Sequence, residues 1–220
     1  MNQPSLIFAP AIIPHLDALR SSQGRKPLPF DITGIRFDDD ALDDTFDDLL
    51  IFNNRTTACL SIGTTVPGKY WTLNPVTDEG ITGAGRLVPG YYENSHVIGI
   101  HGAKWPNFAH EAWVQCGKLM YARDVDKDGI IEVDEPIQSG YGKGFNIHRC
   151  NKNSLAEYVD HFSAGCQVSW WARAHEAGIA MHKEAMSIKT PISYFLTTVK
   201  EWQDLLGIED VRSFILNGCI

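Results

Sequence analysis

The residues best placed to do chemistry in this chain are His148 and Cys166, with Ser163 and Gly165 beside the thiol. Gly144-Phe145-Asn146-Ile147-His148-Arg149 reads as a strand carrying a histidine, and Phe162-Ser163-Ala164-Gly165-Cys166-Gln167-Val168 as a turn entering another strand. The polar, turn-prone stretch between them is long enough to bring two adjacent strand ends together. A thiol that attacks an amide needs a thiolate, a base or cationic partner, and backbone N–H donors where the oxyanion forms. His148 is the candidate partner. Gly165 lets the backbone turn tightly and a substrate carbonyl approach, the Cys166 N–H or its neighbours form the oxyanion site, and Ser163 hydrogen-bonds within the turn or to substrate. The bland alternative for Cys166 is a buried small hydrophobe in a glycine turn.

These residues resemble the L,D-transpeptidase catalytic domain of bacterial cell-wall enzymes, whose motif is a His on one strand followed after a short stretch by Ser/Thr-x-Gly-Cys. The match is His148, then Ser163-Ala164-Gly165-Cys166. A looser likeness, through Thr64-Thr65-Val66-Pro67-Gly68-Lys69-Tyr70-Trp71 and Leu87-Val88-Pro89-Gly90-Tyr91-Tyr92, extends over residues 45–200. The resemblance implies a β-sandwich or barrel-like sheet with short helices. It also implies that Cys166 attacks a peptidoglycan stem-peptide carbonyl to form a thioester, with His148 as general base. Three positions differ: Arg149 where Gly usually follows the His, Ala164 where a His often stands two places before the Cys, and Gln167-Val168 in place of an Arg or Asn region after it. Such changes bear on how substrate is held, so Arg149 and Gln167, together with His101, are the expected substrate contacts. The branch is divergent, with hydrolysis as an alternative to transpeptidation.

A second combination ranks lower. Gly99-Ile100-His101-Gly102 resembles the family's His-Gly element, but Val114-Gln115-Cys116-Gly117 lacks Ser-x-Gly before its Cys. His101 then lines the same pocket or is a satisfied structural histidine. A mononuclear zinc site on His101, His148 and Cys166 ranks lower still, because no two of these ligands are close in sequence.

Asp124-Val125-Asp126-Lys127-Asp128-Gly129-Ile130-Ile131-Glu132-Val133-Asp134-Glu135 matches the twelve-residue EF-hand loop position by position. Asp124, Asp126 and Asp128 converge on one hard cation in that pattern, Ile130 adds a backbone carbonyl and Glu135 closes the shell. The flanks argue against a helix pair, since Leu119-Met120-Tyr121 looks like a strand and Pro136 follows directly. The expectation is a lone calcium loop in a β scaffold, against solvated turn carboxylates with no ion. The thiol chemistry itself requires no cofactor.

The elements that must position these groups are short strands. Runs at Leu49 to Phe52, Thr56 to Ile62, Tyr70 to Leu73, Gly85 to Val88, Val97 to Ile100, Ala112 to Val114 and Leu119 to Ala122 are separated by Pro and Gly turn signals. Pro10 to Arg20 reads as an amphipathic helix, Ser169 to Ser187 as a second helix bent or weakened at Gly178, and Tyr194 to Val199 as a closing strand. Short helical turns follow around Trp202 to Leu206 and Val211 to Leu216. The reading is mainly β: a helical and acidic N-terminal extension over residues 1–44 and one catalytic domain over residues 45–220.

With 27 acidic against 19 basic residues and a net charge of −8, the composition argues against phosphate-driven nucleic-acid binding. The Asp38-Asp39-Asp40, Asp43-Asp44 and Asp47-Asp48 run reads as a solvated face. No apolar run is long enough for a membrane span, and the N-terminus lacks the basic and apolar regions of a signal peptide. That suits a peptidoglycan-acting protein delivered otherwise, such as a bacteriophage lysin, a phage particle component or an injected effector. Cys59, Cys116, Cys150, Cys166 and Cys219 suggest no disulfide framework. The competing function is a non-catalytic β-rich module, structural or wall-binding, and the sequence leaves the oligomeric state open.

Overall fold

A computed structural model describes residues 7–8, 10–37, 42–74, 83–124 and 135–218 of the chain, with only the backbone described for 7, 8 and 218. After β1 (Ile7–Phe8) and α1 (Ile13–Ser22) come β2 (Asp31–Arg36), β3 (Asp48–Asn53) and β4 (Ala58–Thr64), then the short α2 (Lys69–Leu73). Next are β5 (Gly85–Leu87), β6 (Gly90–His101), β7 (His110–Gln115), β8 (Leu119–Arg123), β9 (Gln138–Gly140), β10 (Ile147–Arg149) and β11 (Gln167–Ser169). The chain finishes with α3 (Ala172–Ala185), β12 (Ile192–Thr198), α4 (Val199–Leu206) and α5 (Val211–Ser213), which runs on into Phe214–Gly218.

The fold is mainly β with short helices, as the alternating runs predict. Strands pair in the order β1-β4-β11-β10-β7-β6-β12-β2-β3, and β3 also pairs with β4, so the sheet from β4 round to β3 closes into a barrel. β5, β8 and β9 form a separate small sheet. Two barrel contacts are parallel, β10 with β11 and β12 with β2.

Both faces of the closed sheet are covered. Ile32, Leu50, Phe52, Trp113, Ile147, Tyr194 and Leu196 form one core with Ala174 and Ile179 of α3. Ile35, Leu49, Ile51, Leu60 and Phe195 form the other with Ile12 and Leu16 from the N-terminal helix and Trp202 of α4. Alternate residues of β3 thus feed different cores, which is the period of a strand.

Four sequence expectations change here. Asp31–Arg36, assigned to the extension, is a strand between β12 and β3, buried on both faces, so the core begins before residue 45. Tyr70 to Leu73 is helical; Tyr70 stacks on His161 with ring centres 3.8 Å apart and Trp71 Nε1 donates to the His161 carbonyl at 3.0 Å, contacts that override the β-preference of the aromatics. Gly178 does not break α3, because it is where the helix backbone approaches Phe52 and Trp113: a Cβ there would lie 2.7 Å from the Phe52 ring. Asp48 is no solvated carboxylate. It is fully buried, accepting from Phe37 N at 2.8 Å, Thr65 N at 2.6 Å and Thr65 Oγ1 at 2.7 Å. Asp38, Asp39 and Asp40 lie outside the described residues. Among the described residues, no helix is long and apolar enough to cross a membrane.

Candidate functional site

His148 and Cys166 are brought together by the parallel contact of β10 with β11. The register pairs Ile147 with Gln167 and His148 with Val168, and Gln167 N donates to the Asn146 carbonyl at 2.8 Å. Ile147 and Gln167 point to the core, where Tyr194 Oη donates to Gln167 Oε1 at 2.9 Å. Strand alternation sends His148, Val168 and Cys166 to the opposite face.

The turn before Cys166 is braced from three sides. Gly68 N donates to the Ser163 carbonyl at 2.8 Å, Gly85 N to the Ala164 carbonyl at 3.0 Å, and Ser163 Oγ to the Cys166 carbonyl at 2.7 Å. Gly165 N returns a bond to Ser163 Oγ at 3.1 Å. Gly165 has φ of 132°, and a Cβ there would sit 2.6 Å from the Gly85 carbonyl oxygen, so only glycine fits. Gly165 therefore shapes the turn, as its place beside the thiol suggests. Ser163 is fully buried and spends its hydroxyl on the turn, so it is a bracing residue and not a catalytic or substrate contact. Gln167 is likewise buried, bonding Gly165 O and Tyr194, which removes it from the substrate contacts.

The third member of the cluster is His101, at the end of β6. One ligating atom each from His101, His148 and Cys166 lies within 4.8 Å of the other two. The imidazoles of His101 and His148 stack at 3.8 Å with 12° between planes. His148 Nδ1 bonds the Arg149 carbonyl at 2.9 Å, which requires that nitrogen to carry the proton and leaves the Nε2 lone pair free; buried Nε2 has no hydrogen-bond partner. His101 Nδ1 accepts from Asn146 Nδ2 at 3.1 Å, an orientation fixed by Gln115 N donating to Asn146 Oδ1 at 2.9 Å. The thiol of Cys166 donates to the Gly144 carbonyl at 3.1 Å.

Burial sets the protonation states. It pushes the Cys166 thiol up to about 11, with a backbone hydrogen bond at Asn146 acting the other way. Burial, then the neighbouring His101, drives His148 well below the ordinary histidine value, opposed by the Arg149 carbonyl. His101 is lowered to about 4 by burial and by His110. The resting pair is a neutral thiol beside a neutral imidazole, not a preformed ion pair.

Two openings border the cluster, one at the thiol and one at the imidazoles. Cys166, 9% exposed, lines a recess of about 100 Å³ with Arg123, Lys143 and Gly165. His101, His110, His148 and Arg149 line a cleft of about 620 Å³ whose rim carries Trp105 and Phe108, 64% and 74% exposed. Arg149 reaches the cleft while its Nη1 donates to the Cys150 carbonyl at 2.9 Å.

Sequence reasoning does not single out His110 and His175. His110 faces His101 across the β6–β7 ladder, and His175 on α3 lies 6.2 Å from it, ring to ring. His101 and His110 bracket a Gly102-to-Ala109 turn, and hairpin register would have paired them; nothing local marks His175. The lower-ranked combination does not assemble, since Cys116 follows the opposite end of that ladder from His101. Of the calcium-type loop, Asp124 is buried and Glu135 half-buried, whereas Asp126, Asp128 and Ile130 lie outside the described residues.

Fold and site together define a closed β-barrel with a nearly buried thiol–imidazole pair on its outer face. Comparison with protein-family models, curated proteins and solved structures gives no match.

Proposed function

We propose that this chain is a thiol-dependent acyl-transfer enzyme. More particularly, it cuts or exchanges an amide beside a D-configured centre in peptidoglycan stem peptides, in the manner of L,D-transpeptidases and L,D-peptidases. The observation that carries this reading is the pair itself: Cys166 Sγ and a His148 nitrogen within 4.8 Å, with Nδ1 held by the Arg149 carbonyl and Nε2 without a partner.

On this reading the thiol proton leaves the Gly144 carbonyl for His148 Nε2 as sulfur bonds to the substrate carbonyl carbon. Burial disfavours a free thiolate, so proton transfer and attack go together. The oxyanion is held by backbone N–H at the Cys166 turn, and the imidazolium returns its proton to the departing amine as the C–N bond breaks. Water or a second amine then attacks the thioester, with His148 again taking the proton. The recess beside sulfur and the cleft beside imidazole let acyl group and resolving nucleophile approach from different sides. Arg149 contacts the peptide in the cleft. No cofactor enters these steps, and a calcium ion on loop 124–135 would serve folding. The site of action is the cell wall.

One observation favours a non-catalytic wall-binding module: the thiol is only 9% exposed and its pKa is raised to about 11. Purified sacculi treated with wild-type protein and Cys166→Ala, followed by mass analysis of the muropeptides, separate the two. A product that needs Cys166 supports the enzyme, and its absence overturns it.

A further inference from the structure

The geometry points to a binding site for one thiophilic divalent transition-metal ion, Zn²⁺ as its type, on His101, His148 and Cys166. The three donors converge from β6, β10 and the turn before β11, all within 4.8 Å of one another. In a tetrahedral zinc site with Zn–N near 2.0 Å and Zn–S near 2.3 Å, donors stand about 3.3–3.6 Å apart, so closure draws the donors in by up to about 1.5 Å and turns one of the two stacked imidazoles so that both lone pairs reach the ion. A second observation points the same way. His148, 2% exposed, already has the arrangement of a metal-ligating histidine: Nδ1 is committed to a backbone carbonyl, and Nε2 is buried with no partner.

His101 supplies Nδ1, whose lone pair accepts from the Asn146 amide, so the ion displaces that amide. Cys166 binds as thiolate, its proton passing to solvent, so affinity rises with pH. Three protein donors leave a fourth position for water on the side of the cleft. The half-buried His110, 5.7 Å from His148 ring to ring, has a buried Nε2 with no partner and stands at the edge of the site. Burial keeps all three imidazoles neutral, which is the form a metal requires. Its nitrogen and thiolate donors suit a softer ion than the oxygen-donor pattern at 124–135 would. A bound ion occupies the sulfur and nitrogen lone pairs that the proposed acyl transfer uses, so metal and thiol chemistry exclude each other. Metal binding itself does not rest on that reading.

The test titrates chelator-treated protein at pH 7.5 with Co²⁺, then Zn²⁺, without substrate. One equivalent of Co²⁺ is expected to give a near-ultraviolet thiolate-to-metal band and visible four-coordinate absorption, both removed by one equivalent of Zn²⁺. Zn²⁺ is expected to slow iodoacetamide labelling of Cys166, read by peptide mass, at least tenfold. Cys166→Ser abolishes the band, and His101→Ala, at a half-buried position, weakens Zn²⁺ at least tenfold with unchanged circular dichroism. No saturable binding, a Co²⁺ complex without the thiolate band, or unaltered Cys166 labelling in the wild type overturns the site, whether or not the variants fold. Muropeptide assays with chelator present test the enzyme independently, so either idea fails without the other.

Discussion

Two regions of this barrel bury polar side chains and treat them in opposite ways. At the β2–β3–β4 corner, Arg36 Nε donates to Thr65 Oγ1 and Nη2 to the Thr65 carbonyl, both at 2.8 Å, while Asp48 accepts from Thr65 and Phe37. Both oxygens of that carboxylate are engaged. Around His148, by contrast, His148 Nε2, His110 Nε2 and His175 Nδ1 are buried without partners. An unsatisfied buried polar atom costs about 1–3 kcal/mol, so the histidine cluster carries a cost that the corner does not. The corner engages its polar atoms, whereas the histidine cluster leaves open the lone pairs that the proposed thiol chemistry and metal binding would use.

The largest effect that would break this contrast is on activity. His148→Ala should lower the Cys166-dependent muropeptide rate by about 10³-fold, the scale of a lost general base, while moving the thermal midpoint less than Asp48→Ala does. A small rate change, or collapse of the fold, would place His148 with the structural group.

Asp48→Ala comes next. Removing the buried Asp48 carboxylate strips three hydrogen bonds and the negative charge that offsets buried Arg36, which costs about 3–5 kcal/mol, measurable as a lower urea midpoint, with thiol labelling of the folded protein unchanged.

The regions should also differ in the sign of their pH response. Burial lowers His96 to about 4 and His175 to about 3, with the Phe145 and Glu111 carbonyls respectively opposing it. Those groups bind fewer protons folded than unfolded, so they destabilise the fold as pH falls through 6.5. Burial raises Asp31 and Asp48 to about 6 and Asp47 to about 7, so these bind more protons folded and pull the other way as pH falls. With His101 and His148 added, the histidines outnumber the carboxylates. The thermal midpoint should drop by about 5 °C from pH 6.5 to pH 5, and Asp48→Asn should steepen the drop. A midpoint that rises on acidification would reverse the balance.

Ser163→Ala should have the smallest effect, about 1 kcal/mol from the lost turn bonds, with the Cys166-dependent rate falling less than tenfold. A loss as large as that of His148→Ala would restore Ser163 to the catalytic group.

Most of the sheet was legible because its strands are short apolar runs between Pro and Gly turns, and Leu49 to Phe52 and Ala112 to Val114 fall where the pattern puts them. β2 was not, because Asp-Ile-Thr-Gly-Ile-Arg spreads two apolar residues over six positions; its burial comes from pairing on both edges and from Arg20 Nη2 donating to Asp31 at 2.5 Å and Thr33 at 2.9 Å. The partnership of His148 with Cys166 was legible from residue type and spacing. The His-Gly likeness points His101 to the same pocket, and it lies there, but its stacking on His148 depends on how β6, β7 and β10 lie side by side, which no local pattern encodes. Ser163 and Gln167 were assigned to chemistry by proximity in sequence, whereas strand alternation and a buried turn turn them inward.

The parallel contact of β10 with β11 makes the spacing of the Cys166 thiol and the His148 imidazole a property of the ladder and not of the chain that links them. Insertions or deletions between Asn151 and Asp160 would therefore remodel the cleft wall while leaving thiol and imidazole in register.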